Sequence, residues 1–403
     1  MTVIDASASL TADEQRVNDL VDDLLSSHPP KDTPPAEFLG AQFDRGLAWV
    51  HFPEGSGGLG LSPKLQRLIN ERIYAEGAPN AMIRNPIGHG MCGPTVVAWG
   101  TDEQKERYLR PMFTGEEVWC QLFSEPGSGS DFAGLSSSGV KDGEEWICNG
   151  QKVWTTLAHL SKWGLLIVRT DPQAVKHAGM TAFVVDMEDP TVEVRPLRQM
   201  TGEAEFNEVF FSDTRIPESE MLGKPGDGWR VSLTTLMNER VSIGGTIPQK
   251  GSGTIAALTH AWDSAPEWRK DAATKDDVMK LWSQAEVLRL TNIRASQNRK
   301  SGDPGPEGSI GKMASADLNK AIYEKVMDLM GADGMLYGSY EMIRPETAMG
   351  FDLPQKAFLR VRANSIEGGT SEVMRNILGE RVLGLPGDVR VDREVPWSEV
   401  PRN

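Results

Sequence analysis

The chain has 403 residues, 39% hydrophobic and 25% charged, with a formal charge of −15 and a pI near 5.0. That length predicts two or three packed subdomains, and the acidic balance argues against non-specific binding to nucleic acid or anionic membranes. No apolar run approaches the ~20 residues of a membrane span. Met1–Ser9 lacks the basic-then-apolar layout of a secretory signal and the arginines of a transit peptide. Cys92, Cys120 and Cys148 are isolated thiols without disulfide or zinc spacing. A reducing, cytoplasmic setting and no metal are the expectations.

Leu10 to Leu25 repeats apolar residues at helical spacing (Val17, Leu20, Val21, Leu24, Leu25), and the prolines from Pro29 to Pro35 interrupt it. Pro53 to Gly60 is a glycine loop, and helical patterns return at Leu65–Ala75 and Asp102–Leu109, the latter capped from Thr101. From Val118 the texture changes to short β-branched and aromatic runs at 163–168, 181–185, 192–194 and 209–211, bounded by turns such as Lys141-Asp142-Gly143. From Gly228 onward helix dominates, over 229–243, 276–299, 312–330 and 372–383, with a breaker at Ser301–Pro306. The fold class expected is a multidomain α+β protein: an N-terminal helical domain (1–116), a middle antiparallel β domain (117–227) and a C-terminal helical bundle (228–403).

Two segments of the middle region carry the chemistry. Phe123-Ser124-Glu125-Pro126-Gly127-Ser128-Gly129-Ser130-Asp131 is a turn-rich run with free backbone N–H groups and small hydroxyls. Asn149-Gly150-Gln151-Lys152-Val153-Trp154-Thr155-Thr156 sets an aromatic plate beside two more hydroxyls. A flat, polar-edged, electron-accepting ring needs both, because backbone N–H groups bind its carbonyls without adding charge. Together with Gly369-Thr370-Ser371-Glu372 and Arg375-Asn376-Ile377, in the right order, these segments resemble the signatures of the acyl-CoA dehydrogenases.

The resemblance implies FAD between the β domain and the C-terminal helices. Phe123 and Ser124 would edge the isoalloxazine, and Trp154 and Thr156 would sit against its other face. Gly129 and Ser130 would lie beside the flavin and the pantetheine arm of the substrate. Thr370 and Glu372 would reach the dinucleotide. It also implies an acyl-CoA substrate, an electron-transfer flavoprotein as acceptor, and a homodimer or homotetramer.

Dehydrogenation beside a thioester needs a carboxylate base opposite the flavin and donors to the thioester oxygen. In the resemblance the common base position falls on Gly368, which has no side chain, with Glu367 one residue earlier. The other position lies on the first C-terminal helix, where Glu239-Arg240-Val241-Ser242-Ile243-Gly244-Gly245 fits the pattern of the long-chain and isovaleryl members. Glu239 is the expected base and Glu367 the alternative. The backbone N–H of Gly368 is the expected donor to the thioester carbonyl, and Arg240 positions substrate or anchors the helix.

One family segment is missing: no Arg-x-x-Phe-Gly follows the first C-terminal helix, so Arg269 or Lys270 would have to replace its FAD contact. The stretch Tyr340–Lys356 is longer than the resemblance implies. Two alternatives stay open, a non-catalytic FAD-binding partner of a mixed dehydrogenase and a flavin monooxygenase on the same fold. Met327, Met330, Met335 and Met342 are read as core filling, and the histidines as structural or surface groups.

Overall fold

The computed structural model describes residues 10–244, 248–300, 307–347, 353–389, 392 and 394–401; the side chains of 239–244, 299, 300 and 307 fall outside that description. Six helices open the chain: α1 (Ala12–Ser27), α2 (Pro35–Asp44), α3 (Leu65–Ala75), α4 (Ala81–Arg84), α5 (Gly93–Trp99) and α6 (Asp102–Thr114). Thr11 caps α1 in a reciprocal pair with Glu14, and Thr101 does the same for α6 with Gln104. Inside the stretch read as a proline break, Pro35 instead opens α2, where its fixed φ and missing N–H suit the first helical position.

Eight strands follow: β1 (Trp119–Leu122), β2 (Ser138–Asp142), β3 (Glu145–Thr156), β4 (Trp163–Arg169), β5 (Met180–Asp186), β6 (Val192–Leu197), β7 (Phe206–Pro217) and β8 (Met221–Leu222). They form one sheet in the order β6-β7-β3-β2-β4-β5-β8, with β1 on β4. Pairing is largely antiparallel, but β1 runs parallel to β4, from Trp119 opposite Trp163 to Leu122 opposite Leu166. β4 is nearly all apolar because both its faces are covered. Leu165 and Ile167 join Phe43, Trp49, Phe113 and Val231, while Leu166 and Val168 pack with Trp146, Phe183 and Val209. β7 extends well beyond the 209–211 run, since its polar outward residues hide the period in sequence.

The C-terminal helices are α7 (Gly228–Gly244), α8 (Thr254–Ser264), α9 (Ala272–Lys300), α10 (Glu307–Met330), α11 (Pro354–Arg360) and α12 (Ser371–Ile377), the last continuing as a π turn over Leu378–Val382. Ile255, Leu258, Ile322, Val326, Leu329 and Val361 centre their core. Met327 and Met330 pack against it, but Met335 and Met342 are exposed, because the chain has left α10 before it reaches them. Among the described residues, no helix is long and apolar enough to cross a membrane.

Candidate active site

The 123–131 loop is pinned to β3 by a buried ion pair. Lys152 Nζ lies 2.8 Å from Glu125 Oε1 and also donates to the Phe123 carbonyl at 3.2 Å, with the lysine side chain fully buried. Glu125 accepts further bonds from the Ser136 N–H and hydroxyl and from the Ser137 N–H. Burial alone would raise the Glu125 pKa, but the Lys152 charge and these donors hold it down to about 2. Val153 N–H donates to the Ser124 carbonyl at 2.8 Å, so loop and strand form one rigid unit. Gly150 is required there: a Cβ would meet the Ser137 side-chain oxygen at 2.1 Å.

That unit leaves small polar groups free. Gly129 and Ser130 are exposed at the loop tip, while the Phe123 ring is buried, stacked on Phe132 at 5.0 Å. β3 is irregular between Lys152 and Thr155, and Trp154 stands at φ 60, outside the conformations an aromatic residue prefers. Its indole is 58% exposed and braced edge-on by Phe206 at 5.9 Å. A large aromatic plate turned outward at a backbone cost, with Thr156 beside it, suits a planar ligand.

The C-terminal signature forms a turn at the start of α12. Gly368 (φ 61) and Gly369 (φ 91) make a left-handed turn into α12, whose first N–H groups are capped by the Thr370 hydroxyl, accepting from Val373 at 3.2 Å. Glu372 is exposed and lies 3.4 Å from Arg375. Glu367 is held on both oxygens, by Arg360 Nη2 at 2.9 Å and Asn364 Nδ2 at 2.7 Å. On the far side of the turn, Lys312 of α10 donates to the Gly369 carbonyl.

α7 runs between the other two domains. Thr235 and Thr95 share a buried hydroxyl bond of 2.9 Å, and Trp99 donates to Thr234 at 2.9 Å. Trp229 stacks on Phe132 at 6.2 Å and meets His177 edge-on at 4.4 Å. Glu239 and Arg240 lie on α7, but their side chains are outside the described residues. Arg269 does not extend toward a dinucleotide within this chain: its guanidinium donates to the Leu329 carbonyl at 2.7 Å, at the end of α10, and lies over Trp268. Lys270 donates to the Asp263 carbonyl at 3.3 Å.

Three residues at this site are not singled out by sequence: Glu205, Phe206 and Arg360. Phe206 pairs with Thr156 across β7 and β3, Glu205 accepts the Leu157 N–H through its carbonyl, and Arg360 lies over the Phe206 ring at 5.7 Å. Their polar and aromatic chemistry looks ordinary in sequence; only the domain seam brings them together. Of the long 340–356 stretch, the described residues Ile343, Arg344 and Lys356 belong to the same seam. Ile343 exchanges backbone bonds with Gly202 and Ala204, Arg344 donates to Asn207 at 2.8 Å, and Lys356 lies 2.5 Å from Glu203.

Away from the seam, His89 is half-buried against Trp49 and Phe113, and desolvation pushes its pKa down to about 4, so it is neutral. The three cysteines are free and buried.

Comparison with known proteins now has a geometry to meet. Residues 14–116, 120–214 and 226–383 match the N-terminal, middle and C-terminal domains of acyl-CoA dehydrogenases. Over 348 residues the chain is 36% identical to the acyl-CoA dehydrogenase IpdE1 of Mycobacterium tuberculosis, covering 86% of each. Its fold resembles a solved "Tcur3481-Tcur3483 steroid ACAD" (TM-score 0.71, 21% identity, 94% of this chain and 99% of that one). It also resembles the ChsE4-ChsE5 complex from Mycobacterium tuberculosis (TM-score 0.69, 24% identity, 96% and 100%). The chain belongs to the acyl-CoA dehydrogenase family, and is an oxidoreductase of a class whose members are flavoproteins.

Proposed function

We propose that the chain dehydrogenates an acyl-CoA thioester to the 2,3-enoyl-CoA with FAD, using Glu239 as the α-proton base. The observation that carries this reading is the state of the alternative carboxylate. Glu367 is tied on both oxygens to Arg360 and Asn364, and the next residue is a glycine in a left-handed turn. A base must exchange its proton with substrate, and a carboxylate with both oxygens engaged is poorly placed to do so. Helical spacing sets position 239 one turn beyond Thr235, which is buried against the N-terminal domain.

FAD suits the residues present. Trp154 is an exposed plate, Thr156 and Ser130 are small hydroxyls, and the Ser124–Ser130 loop offers backbone donors. Phe123, Ser124, Gly129, Ser130, Trp154, Thr156, Thr370 and Glu372 are the residues assigned to it. Bound flavin supplies the two-electron acceptor for the β-hydrogen. Glu239 takes the α-proton, and the Gly368 N–H stabilises negative charge on the thioester oxygen. Ser130 lies where the pantetheine arm would pass, and Arg240 orients substrate or steadies α7. Trp154 would cover the ring and exclude water. The acceptor of the electrons is an electron-transfer flavoprotein.

Anaerobic mixing with octanoyl-CoA, isovaleryl-CoA and a steroid-ring acyl-CoA tests the reading. Bleaching of the flavin without oxygen supports a dehydrogenase; an oxidised flavin with every thioester sinks it.

A second reading concerns assembly. The engagement of Arg269 at the end of α10 leaves the missing Arg-x-x-Phe-Gly contact without a substitute in this residue. Two of the fold's solved relatives carry paired names, so a second, different chain completing the flavin site fits that gap. Flavin stoichiometry well below one per chain for the isolated homo-oligomer supports it; a full complement argues for the homo-oligomer.

A further inference from the structure

The guanidinium of Arg360 sits where the two domains meet, and its neighbours come from both. It is 6% exposed. Its Nη2 donates to Glu367 Oε2 at 2.9 Å, its Nε stands 3.5 Å from Glu205 Oε1, and its carbon lies over the Phe206 ring. Glu205 is itself only 2% exposed. On one side Phe206 braces Trp154; on the other Glu367 leads directly into Gly368. A chain of contacts therefore runs Trp154–Phe206–Arg360–Glu367–Gly368, from the aromatic wall to the turn. The Nε and Nη1 of Arg360 have no hydrogen bond among the described residues, so the group is not saturated by a simple ion pair.

We propose that Arg360 is a positioning residue: it locks Glu367 as a paired carboxylate and thereby fixes the Gly368–Gly369 turn at a set distance from the Trp154–Phe206 wall. The function assigned to that turn rests on the dehydrogenase reading; the lock itself does not. Three features make it a lock. A planar fork can hold a carboxylate on one edge while lying over an aromatic ring, which lysine cannot. Arg360 and Glu205 are buried while the Glu367 side chain is 35% exposed, so loss of the guanidinium frees Glu367 to turn toward solvent instead of staying in place. And the turn is also held at its next residue, where Lys312 donates to the Gly369 carbonyl, so Gly368 lies between two tethered residues.

The test uses the flavin-loaded protein with Arg360→Met, Arg360→Lys, Glu367→Gln and the Arg360→Met/Glu367→Gln double variant. Two readouts are taken: visible circular dichroism of the bound flavin, which needs no substrate, and the anaerobic bleaching rate with whichever of the three acyl-CoA probes is fastest on the parent. Arg360→Met is expected to alter the flavin dichroism and slow bleaching about tenfold or more, since coupled groups in one network interact at this scale. Neutralising Glu367 in the double variant should recover at least about threefold of that loss, because the two groups act as one network. Arg360→Lys should fall between. Glu367→Gln alone should slow bleaching a few-fold without abolishing it.

An unchanged dichroism and rate in Arg360→Met, or no recovery in the double variant, overturns the lock. If Arg360→Met does not fold, Arg360→Lys and Glu205→Gln carry the same test, and unaltered dichroism in both overturns it. Loss of all bleaching in Glu367→Gln with normal dichroism would instead remove Glu239 as the base. Absence of bleaching in the parent would remove the dehydrogenase reading, and the dichroism arm would still decide the lock.

Discussion

Two ion-pair clusters at the candidate site are built differently: Lys152 and Glu125 are both buried, whereas Arg360 and Glu205 are buried and the Glu367 side chain is 35% exposed. Lys152 and Glu125 join a loop to a strand of the same sheet, 27 residues apart, and every partner of Glu125 comes from that domain. Arg360 joins Glu205 in the sheet domain to Glu367 in the helical one. The first can form as the sheet forms; the second exists only once two domains have docked. The proposed cofactor seat is therefore preorganised within one domain, whereas the Arg360 cluster is a property of the interface.

The sharpest way to break that division is to remove the proposed base. Glu239→Gln should slow anaerobic flavin bleaching by about 10²–10⁴-fold, the range for loss of a general base, while flavin content and the visible spectrum stay at parent values. Retained bleaching would move the chemistry away from α7.

Next in size is the pair in the middle domain. Lys152→Met strands Glu125, and breaking a buried pair costs about 3–5 kcal/mol, readable by denaturant unfolding together with flavin loss on gel filtration. The pH dependence follows from Glu125, whose pKa falls from an ordinary 4.5 to about 2 in the folded protein. A depressed carboxylate contributes stability that is complete above the unfolded value and is lost as pH falls toward the folded one. The parent should thus lose stability between about pH 4.5 and 2, and Glu125→Gln should lack that component. Identical acid profiles would show that the pair does not carry it.

The same contrast explains what could be read in advance. The glycine-serine loop, Trp154 and the Gly-Thr-Ser-Glu run are local, so their order in the sequence reveals a flavin fold. Thr101 as a cap is legible for the same reason, because its partner Gln104 is three residues away. Arg360 is not legible: an arginine between Leu359 and Val361 reads as one more helical cation, and only docking sets it against Glu205 and Phe206. The 340–356 stretch reads in sequence only as longer than the resemblance implies, yet Ile343, Arg344 and Lys356 stitch the domains together. Glu239 sits between these cases, recognisable by pattern while its consequence depends on what Gly368 leaves open.

A smaller effect probes the aromatic wall. Trp154→Ala removes a plate that contacts the protein mainly through Phe206, so folding stability should change little. Flavin affinity should weaken by about tenfold, in line with the ~0.5–1.5 kcal/mol of an aromatic contact beyond its area. Equal affinity in Trp154→Ala and the parent, measured by flavin fluorescence titration of the apoprotein, would take the wall out of the cofactor site.

The smallest expected change separates capping from cofactor contact at Thr370. Its hydroxyl accepts the Val373 N–H, so Thr370→Ala should destabilise the protein by about 1 kcal/mol through the lost cap. If capping is its whole role, that loss is the same with and without flavin, because the bond it makes is internal to α12. If the hydroxyl also reaches the dinucleotide, the loss is larger in the flavin-loaded protein, and the excess equals the drop in flavin binding free energy. Thr370→Ser keeps the oxygen and should preserve both terms. Unfolding curves of apo and flavin-loaded forms of the two variants decide it: parallel shifts leave the dinucleotide to other groups, and a gap between them keeps Thr370 among its contacts.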